Sequence, residues 1–213
     1  MPTIHRVLAL LATLASAPTA QADTAGDFDF YVLALSWSPT WCALEGDARD
    51  AEQCHPDRDH GWTLHGLWPQ YEVGYPADCR TDKRDPSRQQ SGDMADIMGS
   101  GGLAWYQWKK HGRCTGLDGP DYYALSRLAY DRVARPEVLR QLDRTVSLPA
   151  SVVEEAFLEA NPDLAGDMIR VTCEAGRIDE IRVCLTRELE PRACSSDMAP
   201  DCTLERAILD PIP

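Results

Sequence analysis

The sequence predicts an α+β fold, a central antiparallel β-sheet with helices packed around it and held by disulfides. Strand-like segments lie at the start and end of the chain, and helix-like segments fill its middle. Strands and helices in separate runs favour an antiparallel sheet over a parallel one. All eight cysteines lie beyond residue 22, and their number is even.

The elements follow in order. Residues 28–35 (FDFYVLAL) are aromatic and aliphatic and stop at a Ser/Pro cluster, as a buried strand does. Residues 36–60 carry two cysteines and many acids without periodicity, and read as loop. Residues 62–68 are again strand-like and end at Pro69; residues 70–86 are rich in Gly, Pro and Asp, a second loop. A helix is expected over 87–98 with Ser87 as its N-cap, broken by Gly99-Ser100-Gly101-Gly102 and resumed over 103–110. Further helices are expected over 121–134, capped by Asp121, and over 151–160, where Ser151 and Glu154 have the spacing of a capping box. Pro136 ends the first of these or starts a short second piece. Residues 167–173 and 177–185 alternate around Glu174-Ala175-Gly176, a hairpin. The tail has two cysteines and four prolines.

Residues 1–22 have a short charged start, an apolar run over 7–15 and Ala20-Gln21-Ala22, the pattern of a secretory leader cleaved after Ala22. The apolar run is too short to span a bilayer. Residues 23–213 are then one domain of ample size for a core. An export signal with eight cysteines argues for four disulfides in an oxidising compartment, periplasmic or extracellular. A zinc site is the competing use of the cysteines, but no Cys-x-x-Cys occurs. The formal charge is −13, and the leader's single arginine makes the remainder one unit more negative. That disfavours non-specific binding to nucleic acid or anionic membrane. A polyanionic substrate would need positive charge gathered in a cleft.

Two His-Gly units stand out, His65-Gly66 in GWTLHGLWPQ and His111-Gly112 in KKHGRC. An imidazole held among apolar residues has a fixed ring and a tunable pKa, and a glycine beside it permits close approach. The plain alternative for His65 is a buried core histidine. On a helix over 103–111, Gln107, Lys110 and His111 fall on one face, with Trp105 and Trp108 pointing elsewhere. The plain alternative there is a solvated polar face. Two imidazoles, one neutral and one protonated, suit cleavage of RNA. One takes the 2′-hydroxyl proton as that oxygen attacks phosphorus, and the other protonates the leaving 5′-oxygen. A nearby lysine stabilises the charge on the phosphoryl oxygens. Trp68, Tyr71 and Tyr75 are candidate stacking surfaces for bases. No metal or other cofactor is required. His55 and His60 lie in a charged loop and read as surface residues.

With these residues in view, the chain resembles the ribonuclease T2 family. WTLHGLWP (62–69) and WKKHGRC (108–114) are similar to that family's two active-site segments. FDFYVLALSWSPTWC (28–42) resembles its N-terminal strand and IDEIRVCL (178–185) its late core strand. The resemblance implies an endoribonuclease that cuts single-stranded RNA with little base preference, forming a 2′,3′-cyclic phosphate that is then hydrolysed to a 3′-phosphate. It implies His111 as general base, His65 as general acid and Lys110 as stabiliser of the phosphorane-like state, with Gln107 in the catalytic set. Trp68, Gln70, Tyr75 and Tyr106 would bind substrate. It also implies the pairs Cys42–Cys54, Cys79–Cys114, Cys173–Cys202 and Cys184–Cys194. The expected form is a monomer acting on RNA, with no membrane anchor and no obligate protein partner.

Tyr106-Gln107 departs from the family's usual His-Glu. An amide can donate to a phosphoryl oxygen, which an ionised Glu cannot. It also leaves His111 without a charged carboxylate neighbour, so His111 should be less basic than in relatives. Two rival functions stay open. One is a catalytically weakened protein that binds RNA or a partner on the same scaffold; the other is a phosphodiesterase for cyclic nucleotides.

Overall fold

In the computed structural model, which describes residues 23–213, β1 (Phe30–Trp37) is apolar at almost every position because both of its faces are covered. Tyr31, Leu33, Leu35 and Trp37 enter the main core, while Phe30 and Val32 pack with Cys184 in a smaller cluster on the opposite face. The proposed leader lies outside the described residues.

β1 pairs antiparallel with β2 (Trp62–Gln70) on one side and β5 (Arg177–Leu185) on the other. β4 (Ile169–Glu174) forms the expected hairpin with β5. Its turn, Ala175-Gly176, has φ of 46° and 81°. Two three-residue strands, β3 (Val146–Leu148) and β6 (Ala207–Leu209), complete a six-stranded sheet of order β2-β1-β5-β6-β3, with β4 also on β5. Neither short strand was expected. The sheet is antiparallel except where β6 meets β5, Arg177 opposite Ile208, in parallel register. The tail, tied to β4 by Cys173–Cys202, enters the sheet there.

The helices are α1 (Ser38–Trp41), α2 (Arg88–Asp93), α3 (Ala95–Met98), α4 (Gly101–Lys110), α5 (Gly119–Arg132), α6 (Glu137–Arg140) and α7 (Ala150–Ala160). Ser87 caps α2 as expected, reciprocally with Gln90. The glycine break is shorter than expected, because Ser100 Oγ accepts from Leu103 N and starts α4 at Gly101. Two other caps differ from expectation. Asp118, not Asp121, occupies the N-cap position of α5, with proline in the first turn. Ser151 lies inside α7, since Pro149 sets the start and the Ala150 N–H is satisfied by the Leu204 carbonyl. Pro136 precedes the short α6.

β2 is an edge strand, and an uncovered edge exposes unpaired backbone groups. α5 covers it: Tyr122 Oη donates to Leu67 O at 3.0 Å and Tyr130 Oη to Trp62 O at 2.9 Å. The main core gathers Trp62, Leu64 and Leu67 of β2 with Trp108 of α4, Tyr122 of α5 and Phe157 of α7. The disulfides are Cys42–Cys54, Cys79–Cys114, Cys173–Cys202 and Cys184–Cys194, the pairs implied by the resemblance. No helix among the described residues is long and apolar enough to cross a membrane.

Candidate active site

The site begins with an irregularity in β2. Leu35 pairs with Leu64 and Ala34 with Gly66, so His65 has no partner across the ladder. It is the extra residue of a β-bulge, a device that re-aims side chains. Strand alternation places Trp62 and Leu64 toward the core; the bulge shifts the phase by one, so Leu67 follows them inward. His65, Trp68 and Gln70 are left lining a common cleft on the opposite face.

Gly66 permits what happens next. A Cβ there would land on Trp68 Nε1 and lie 2.6 Å from Gln107 Oε1. These two atoms form the bond that joins strand to helix: Trp68 Nε1 donates to Gln107 Oε1 at 2.8 Å. Indole nitrogen only donates, so the Gln107 atom facing it must be the oxygen, and the amide Nε2 is a donor with no partner among the described residues. Gln107 is 1% exposed, so this part of the α4 face is buried, not solvated.

α4 delivers Tyr106, Gln107, Lys110 and, as its C-cap, His111. The helix end is held from two sides. The Lys110 carbonyl accepts from Asp78 N at 2.8 Å, and Cys79–Cys114 bridges the same two segments. On the back of the helix, Trp108 Nε1 donates to Asp85, which also pairs with Arg113. Gly112 is required here too, since a Cβ would lie 2.8 Å from the Tyr122 ring.

The cleft is about 380 Å³. Eight of the nine side chains expected at the site line it: His65, Trp68 and Gln70 from β2, Tyr75 from the following loop, and Tyr106, Gln107, Lys110 and His111 from α4. The ninth, Tyr71, packs against the main core instead. Trp68 is its hub. Its ring centroid lies 5.1 Å from that of His65 and 5.4 Å from that of His111. Tyr75 is 6.2 Å from His111, and Tyr106 and Tyr75 are both exposed. Gln70 donates to the Pro69 carbonyl at 2.9 Å.

The two histidines differ electrostatically. Burial, then the charges of Lys110 and His65, pull the His111 pKa down to about 3. Its Nδ1 is buried with no hydrogen-bond partner among the described residues, so no acceptor favours a second ring proton. His65 is half-exposed, and its Nδ1 meets Glu180 Oε1. Burial would raise the Glu180 pKa, but the hydrogen bond and charge of His65, with Arg182, hold it at about 2.

Sequence reasoning missed Glu180 and Arg182. They lie two apart on β5, hence on one face. Arg182 lines the cleft with its guanidinium 5.4 Å from the Trp68 centroid, and Met198 and Val32 close the wall. The available signal, an acid and a base two apart on one strand, was diluted by the charges of Arg177 and Asp179 on the same strand. Lys110 and Arg182 give the cleft an anion-binding character within a strongly acidic chain. Among the described residues, the grouping with metal-like spacing is Cys42, Asp47 and Cys54, whose cysteines are spent in a disulfide.

An α+β sheet bearing a histidine pair across an aromatic hub, with cations around it, defines the class. The chain belongs to the ribonuclease T2 family, whose model matches residues 28–194. A ribonuclease of Aeromonas hydrophila is 43% identical over 117 residues, 55% of this chain and 52% of that protein. A probable ribonuclease of Haemophilus influenzae is 26% identical over 183 residues, 79% of this chain and 61% of that one. The chain thus spans little more than half the length of these relatives. The RNase-related protein from Calystegia sepium shares the fold, with a TM-score of 0.69 at 21% identity over 86% of this chain and 98% of that one.

Proposed function

We propose that this protein is an exported endoribonuclease that cleaves single-stranded RNA without a metal, by transphosphorylation. The 2′-oxygen bonds to phosphorus and the bond from phosphorus to the 5′-oxygen breaks. His111 takes the 2′-hydroxyl proton, and His65 gives a proton to the departing 5′-oxygen. The product is a 2′,3′-cyclic phosphate; water opens it to a 3′-phosphate with the two roles reversed. Lys110 and the free amide of Gln107 meet the charge that develops on the phosphoryl oxygens. Trp68, Gln70, Tyr75 and Tyr106 contact the nucleotides. Four disulfides suit action outside a reducing cytoplasm.

The observation that carries this reading is the unequal pair of histidines facing one cleft across Trp68, one ring held neutral and the other bonded to a carboxylate. Unequal environments are how two like groups come to serve as base and acid.

The test is release of acid-soluble nucleotides from RNA homopolymers in excess chelator, with a 2′,3′-cyclic monophosphate assayed in parallel. Wild type should cleave the polymers, and His65→Phe and His111→Phe should each lose about 10²–10⁴-fold in rate. An inactive wild type defeats the nuclease reading and leaves the binding-protein alternative. Activity on the cyclic monophosphate alone favours the phosphodiesterase, and loss in chelator defeats the metal-free mechanism.

A further inference from the structure

Behind His65 is a carboxylate that the mechanism above does not use. Glu180 is 3% exposed, and a buried charge needs partners. Its two oxygens divide the work. Oε2 accepts from Arg182, Nε at 2.9 Å and Nη2 at 2.7 Å. Oε1 accepts from Ser36 Oγ at 3.1 Å and meets His65 Nδ1. The arginine by itself would neutralise the acid, so the imidazole is an additional partner, brought within reach by the bulge. The strand register makes room for this arrangement. Arg182 stands opposite Ala34, which stands opposite Gly66, so two small residues let the long side chain lie toward Trp68. Only part of its guanidinium fork is used by Glu180, and the side chain is 27% exposed where it lines the cleft.

We propose that Glu180 positions His65 as the proton donor, and that Arg182, gripped by the same carboxylate, binds the substrate phosphate and ties the donor to it. This rests on the nuclease reading. In the acid form of His65 both ring nitrogens carry protons. Nδ1–H is spent on Glu180, which fixes the ring and leaves Nε2–H for the 5′-oxygen. Arg182 offers its remaining N–H groups to a non-bridging oxygen of the same phosphate, a geometry guanidinium suits well.

The test separates a donor-positioning carboxylate from a merely structural ion pair. Kinetics are measured on a dinucleotide and on a nucleoside 3′-(4-nitrophenyl phosphate). The first releases an alkoxide that must take a proton; the second releases a nitrophenolate that needs none. Glu180→Gln should lower kcat on the dinucleotide by about 10–100-fold and on the aryl ester by no more than about threefold, as His65→Phe should to a greater degree. Arg182→Met should raise KM for both substrates, because the phosphate is common to them. Activity on the aryl ester also reports that each variant is folded. If Glu180→Gln does not fold, Glu180→Asp keeps the charge at a shorter reach and should show the same selective loss. Equal losses on both substrates would overturn the role of Glu180, and unchanged KM values in Arg182→Met would overturn that of Arg182. A wild type that cleaves neither substrate overturns the nuclease reading itself, whereas an active wild type with unselective variants overturns this inference alone.

Discussion

At the scale of single residues, the site depends on small differences in shape and charge. Gln107 and Glu are isosteric, so Gln107→Glu keeps an acceptor for Trp68 Nε1 while adding a charge near His111. A nearby negative charge favours the protonated imidazole. The variant should remain active, with the acidic limb of its kcat/KM profile moved to higher pH. The wild-type limb should lie low, near the His111 value of about 3. A dead but folded variant, or an unmoved limb, would sink this account. Gly66→Ala is a second case. Its methyl group would sit between Trp68 and Gln107, and overpacking of this kind costs about 1–3 kcal/mol. Activity should fall far more than the unfolding midpoint, because the displaced ring is the hub between the histidines. Comparing kcat with thermal denaturation checks it.

Elements explain both what could be read from the chain and what could not. β1, β2, β4 and β5 were legible because burial imprints itself on neighbouring residues, to within two residues at each end. β3 and β6 were not, because each is three residues long and exists only through its distant partner. The site was legible where it lies within two short segments, at His65 and His111. Glu180 and Arg182 were not singled out, since their significance depends on β5 lying beside β1 and on the bulge in β2. The bulge itself left a trace, two core leucines three apart, Leu64 and Leu67. At this scale the Cys79–Cys114 bridge matters most, because it fixes the end of α4 that carries Lys110 and His111. Replacing both cysteines by alanine should cost about 2–5 kcal/mol in urea unfolding. Below the new midpoint, activity should be reduced as well, because the helix end can shift while the sheet stays folded. Full activity in a destabilised variant would show that the bridge serves stability alone.

For the whole molecule, buried titrating groups set how stability varies with pH. His111 takes a proton near 6.5 when unfolded but only near 3 when folded. Between those values the unfolded chain binds more protons, so stability rises with pH. Glu180 acts in the same direction between about 2 and 4.5. Asp179, pushed up to about 6 by burial and by Glu180 and Glu174, opposes them between 3.8 and about 6. Two groups outweigh one, and His111 has the widest window. The urea midpoint should therefore fall as pH drops from 6.5 to 3, and His111→Phe should flatten the decline. An equally steep decline in that variant would assign the effect to other groups.

The bulge has one more consequence. His65 is a surplus residue, inserted between two ladder pairs that would be consecutive without it. Removing it would leave Leu64 and Gly66 adjacent, opposite Leu35 and Ala34, with regular alternation on both faces. The scaffold and His65 are thus separable by the loss of a single codon. A one-residue deletion in the most conspicuous motif of the chain should yield a soluble, disulfide-bonded protein that has lost its chemistry and kept its fold.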